Sequence, residues 1–109
     1  MIISALVISP KAIVLGQPID IIVVVEGAER SQVVEICVSV AWPFEIEEQA
    51  MLCQTVLGSP PLSVSFRARL TTKAAASTCQ ITALADAEDG QSCSALEVAE
   101  VIPHRRSPP

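Results

Sequence analysis

The sequence predicts an all-β fold, a two-sheet antiparallel sandwich of about seven strands. Three observations carry this expectation. Apolar, β-branched segments recur at intervals of about 10 to 14 residues, each closed by Pro, Gly, Asp or Ser. Most of these segments alternate strictly between apolar and polar positions, which is the period of a strand with one buried face. The chain has 109 residues, 50% apolar and 17% charged, the size and composition of one folded domain rather than of a disordered segment. Residues 1–102 read as the sandwich, and the Pro- and Arg-rich residues 103–109 as a tail or linker.

The elements follow in order. Ile2 to Ser9, broken by Pro10 and resumed by Ala12 to Leu15 before Gly16, reads as a split edge strand, because proline has no N–H to give to a ladder. Pro18 to Glu26 places Ile19, Ile21, Val23 and Val25 on one face and Asp20, Ile22, Val24 and Glu26 on the other. After a turn at residues 27–31, Val34, Ile36, Val38, Val40 and Trp42 face the core, against Val33, Glu35, Cys37, Ser39 and Ala41. Glu45 to Leu57 is ambivalent, since Ile46, Ala50, Cys53 and Leu57 also fit a helical stripe. Strand is preferred there because it continues the rhythm, and helix stays open.

The Gly58-Ser59-Pro60-Pro61 break precedes the cleanest alternation, Leu62, Val64, Phe66, Ala68 and Leu70 against Ser63, Ser65, Arg67 and Arg69. Thr71 to Ala76 supplies a link from one sheet to the other. Ser77 to Asp86 then points Cys79, Ile81, Ala83 and Ala85 inward. Asp89-Gly90 is a hairpin turn, and Gln91 to Ile102 is the last strand, carrying Leu96, Val98, Val101 and Ile102 with a bulge.

Composition narrows the function. A net charge of −5, with Lys11 and Lys73 the only lysines, removes the electrostatic attraction on which nucleic-acid binding depends. The apolar run Ile21 to Val25 is far short of the roughly 20 residues that cross a bilayer, so neither nucleic acid nor membrane insertion is expected. The single histidine, His104, lies in the tail, which leaves no base beside any Ser, Thr or Cys nucleophile, and no enzyme is expected. The four isolated glycines form no phosphate loop, and no cofactor is expected. The carboxylates Glu45, Glu47 and Glu48, and Asp86, Glu88 and Asp89, lack neighbouring aromatics. The second set reads as a solvated turn in preference to a calcium loop. Residues 1–10 lack the basic start and small-residue cleavage site of a signal peptide, and the compartment stays open.

Four cysteines without a C-x-x-C argue against structural zinc. A reversal centred near Glu45 sets Cys37 opposite Cys53, making them the leading disulfide candidates. Apolar residues on faces that should be wet, Ile22 and Val24 in one strand with Val33 and Ala41 in the next, are the candidate interaction face.

Ser9-Pro10 with Gly16-Gln17-Pro18, then Leu62-Ser63-Val64-Ser65-Phe66, then Thr78 to Gly90, together resemble bacterial immunoglobulin-like or fibronectin-III-like domains. The resemblance implies an immunoglobulin-like sandwich serving adhesion, spacing or protein interaction without catalytic residues. The chain departs from the antibody pattern in having no cysteine near Val23 to partner Cys79, no tyrosine, and Trp42 at the end of its strand. The expected role is a non-catalytic protein–protein interaction module, or a small subunit of a larger assembly. It would bind a protein partner or itself through an apolar sheet face or an edge strand. The alternative is a structural spacer or adhesion domain of a secreted or surface protein, stiffened by disulfides.

Overall fold

Nine strands form in the computed structural model, which describes residues 1–47, 49, 51–58 and 61–102. They are β1 (Ile2–Ser9), β2 (Ala12–Val14), β3 (Pro18–Glu26), β4 (Val33–Val40), β5 (Phe44–Ile46), β6 (Met51–Leu57), β7 (Leu62–Thr72), β8 (Thr78–Ala87) and β9 (Ser92–Ile102). One sheet has the order β1-β3-β7-β5 and the other β2-β9-β8-β4-β6. All pairings are antiparallel except β2 with β9, so the second sheet is mixed. The expectation of about seven strands in purely antiparallel sheets is corrected on both counts. The tail residues 103–109, including His104, lie outside the described residues.

The core forms where the alternation required it. Ile19, Ile21, Val23 and Val25 of β3 and Val64, Phe66, Ala68 and Leu70 of β7 meet Val34, Ile36 and Val38 of β4 and Cys79, Ile81, Ala83 and Ala85 of β8, all buried. Each aliphatic side chain moved from water into this layer stabilises the fold by about 1.5–3 kcal/mol. No polar or charged residue is buried among the described residues, so the core carries no desolvation cost from unpaired groups. Because β8 contributes three alanines to its inner face and β9 buries Ala99, the inner layer is thin on this side.

Pro10 divides the first strand as expected, with the two halves in different sheets: β1 pairs with β3, and β2 crosses to run parallel to β9. Thr72 to Ser77 likewise carries the chain between sheets, and the β8–β9 hairpin turns at Gly90, whose φ of 93° favours glycine.

Three readings are corrected. Glu45 to Leu57 is neither one strand nor a helix. Phe44 and Ile46 enter the core from β5, paired with Thr72 and Leu70 of β7, and the chain then crosses to the other sheet as β6, paired with β4. Trp42 does not face the core. β4 ends at Val40, the chain turns toward β5, and Phe44 takes the buried position while Trp42 is 78% exposed. No bulge interrupts β9, whose register with β8 is continuous from Ser92 to Glu100. The irregularity lies in β1, between Ile3 and Ala5.

Candidate interaction surface

The unbroken register of β9 fixes what its outer face carries. Leu96 stands opposite Thr82, and Val98 opposite Gln80. Both point away from the core, 57% and 49% exposed. On β8 the outward position between Ala83 and Ala85 is Leu84, which is exposed and lies opposite Cys37 of β4. Cys37 in turn opposes Cys53 of β6, the pair singled out from the sequence. Their Cα atoms are 4.1 Å apart and their Sγ atoms 2.16 Å, at disulfide distance. Met51, 52% exposed, stands next along β6 opposite Ser39. Diagonal neighbours on a sheet face remain within side-chain reach, so Met51, the Cys37–Cys53 bridge, Leu84, Leu96 and Val98 form a continuous apolar stripe across four strands.

The electrostatics of this face are one-sided. None of its strands β2, β4, β6, β8 and β9 carries a lysine or arginine, whereas Glu35, Asp86 and Glu100 all lie on its outer side. Asp86 and Glu35 oppose one another at one flank of the stripe. Arg67 and Arg69 point outward from β7 in the other sheet, Arg67 across from Asp20, while Lys73 bonds Glu45 at 3.1 Å. The molecule thus has one acidic, apolar face and one face that bears its strand-borne cations.

The candidate face read from the sequence is divided. Ile22 and Val24 lie half-buried on the outer face of the four-stranded sheet, opposite Val7 and Ala5 of β1. Val33 lies on the opposite side of the molecule, on β4 beside Leu57, and Ala41 follows the end of β4. The four residues do not form one patch, because β3 and β4 belong to different sheets. Leu84, Leu96 and Val98 are not part of that reading although a signal is present: the buried Ala83, Ala85 and Ala99 sit beside larger apolar residues that face outward.

Elsewhere the polar groups serve the fold. Glu88 holds the β8–β9 hairpin against β4, its Oε1 accepting from the Val33 N–H at 3.0 Å while its own N–H donates to the Val33 carbonyl. Asp89 accepts from the backbone N–H and side-chain amide of Gln91, both at 3.0 Å. The backbone bond from Gln91, with a further bond from the Gln32 side chain, holds its carboxyl below the ordinary value. These carboxylates are engaged in the turn itself. The grouping of Glu35 with Cys37 and Cys53 places possible ligand atoms together, but its two sulfurs are bonded to each other. The remaining cysteines are free. Cys79 is buried, which raises its thiol from 9.0 to about 11, and burial likewise raises the half-buried Cys93. A groove of about 380 Å³ between β1 and β9 is lined by Leu6, Ile8, Lys11, Glu97 and Ala99. Among the described residues, no helix is long and apolar enough to cross a membrane.

No protein-family model matches the sequence, and no curated protein matches it. Solved structures do resemble it in fold. A cohesin module from the family 33 glycoside hydrolase of Clostridium perfringens ATCC13124 is similar with a TM-score of 0.55 and 12% identity, over 92% of this chain and 96% of that one. The sporulation control protein Spo0M from Bacillus subtilis matches with a TM-score of 0.48 and 13% identity, over 92% of this chain and 49% of its own. At such identity the likeness to the cohesin module establishes a shared all-β sandwich architecture.

Proposed function

We propose that the chain is a non-catalytic protein-interaction module that binds its partner through the outer face of the five-stranded sheet. The observation carrying this reading is the stripe formed by Met51, the Cys37–Cys53 bridge, Leu84, Leu96 and Val98 on a sheet without a single basic side chain. A contiguous exposed apolar patch with a polar margin is the signature of a contact surface. Its acidic margin selects a partner whose apolar surface is flanked by lysine or arginine. The immunoglobulin-like reading belongs to this proposal, supported by the sheet orders. In the lettering of that fold β1-β3-β7 correspond to A-B-E and, with the split first strand, β9-β8-β4 to G-F-C, while β5 and β6 take the D and C′ places in the reverse of that fold's chain order. The cohesin module, a protein module of similar fold, is consistent with an interaction role.

The test is capture from the native cells with the wild-type chain and with Leu84→Asp/Leu96→Asp. A stoichiometric protein retained by the wild type and lost by the variant, at unchanged urea midpoint, supports the reading. Equal retention by both rules out this face. The spacer reading is favoured by the covalent link between β4 and β6, and it requires a chain to which nothing binds stoichiometrically.

A further inference from the structure

Of the four strands at sheet edges, three are blunted. β2 and β5 have three residues each, and β1 is interrupted by its irregularity at Ser4 and flanks the groove shared with β9. β6 differs from all of them. It has seven residues, Met51-Leu52-Cys53-Gln54-Thr55-Val56-Leu57, with no charge, no proline and no bulge, and it pairs with β4 without a break from Met51 to Leu57. An edge of that kind is a template for another strand.

Which backbone groups it offers follows from the register. Cys37 and Cys53 sit with Cα atoms 4.1 Å apart, the close spacing of a pair that exchanges no ladder bonds. Cys53, and with it Met51, Thr55 and Leu57, therefore turns N–H and C=O away from β4. Gly58 confirms the phase, its N–H donating to the Gln32 carbonyl on the β4 side. Among the described residues no backbone hydrogen bond from a turn or loop reaches these four, and the Gln54 side chain is engaged with the Ser65 carbonyl at 2.9 Å.

We infer that β6 pairs antiparallel with β6 of a second copy of this chain, about a two-fold axis at Gln54, joining two five-stranded sheets into one. The strand is self-complementary about that residue. Met51 meets Leu57 of the second copy, Leu52 meets Val56, and Cys53 meets Thr55. Each pair lies on one face of the joint sheet and matches in character. The pairs that exchange hydrogen bonds are the four residues whose groups point outward. Such an isologous contact closes as a dimer. No like charges oppose one another within the strand, although each copy carries −5 overall. The dimer therefore tightens as added salt screens that repulsion. Pairing at this edge leaves Leu84, Leu96 and Val98 open, so it is independent of the partner-binding reading.

Sedimentation equilibrium of the full chain under oxidising conditions tests it, together with hydrogen exchange at several concentrations. A reversible monomer–dimer equilibrium that strengthens with salt is expected, with slowed exchange confined to β6 as concentration rises. Thr55→Pro removes a donor that the β4 ladder does not use, and it should weaken the dimer at least tenfold while Leu84→Asp leaves it unchanged. A monomer at every concentration would overturn the inference, as would a dimer loosened by salt or one whose protection lies outside β6. The exchange measurement on the wild type decides the matter even where a variant fails to fold.

Discussion

Gly58 shows how a single missing methyl group can hold a connection together. It closes β6 by donating to the Gln32 carbonyl and accepting from the Ser31 N–H, and a Cβ built there collides with the Glu29 carbonyl oxygen. The obstacle is backbone, so it cannot swing aside. Gly58→Ala should lower stability by about 1–3 kcal/mol in urea unfolding, while the same substitution at the unobstructed Gly16 acts only through its φ of 82°. Cys79 makes a second prediction at this scale. Burial raises its thiol from 9.0 to about 11, so the unfolded chain gives up that proton at lower pH than the native one. The stabilisation is complete below pH 9.0 and is lost as pH rises toward 11. Unfolding midpoints of the wild type should therefore fall across that interval by more than those of Cys79→Ala. Native protein at neutral pH should also resist alkylation at Cys79 until it is unfolded.

At the level of strands, the covalent link between β4 and β6 is the principal lever. Its cysteines are 16 residues apart, and closing a loop of about that length restricts the unfolded chain by about 3 kcal/mol. Cys37→Ala/Cys53→Ala should show a loss of that order in urea melts, and hydrogen exchange in β6 should accelerate more than in β8 or β3. The strands most readable in the sequence, β3, β7 and β8, each have partners on both sides, as β4 and β9 also do. Their alternation is enforced along the whole length by one core face. Reading failed where the chain changes sheets. The Phe44 to Leu57 stretch serves two sheets within 14 residues, so no single period describes it. Leu96 and Val98 read as apolar in the sequence, but their direction depends on the register of β9, which a bulge there would reverse. The candidate surface is illegible for a related reason: Cys37 and Leu84 become neighbours only through the pairing of β4 with β8, which skips along the sequence, and Leu96 joins them only through the exact register of the β8–β9 hairpin.

Viewed whole, the molecule separates its charge as well as its layers. The acidic five-stranded face and the arginine-bearing four-stranded face lie on opposite sides, which orients an approaching basic partner before contact. Leu84→Asp should leave the unfolding free energy from urea melts within about 0.5 kcal/mol of wild type, because the side chain it replaces faces solvent. Binding of a partner should be lost all the same, and Glu35→Lys/Asp86→Lys should slow its association more than its dissociation. The crossing of the first strand has a mechanical consequence. β2 runs parallel to β9, with Ala12 beside Glu100 and Val14 beside Ile102. Tension drawn between the N-terminal end of β2 and the C-terminal end of β9 loads all of their hydrogen bonds at once, in shear, instead of peeling them one at a time. Three residue pairs thereby become a latch against stretching, and a hairpin of the same length at that position would unzip under the same load.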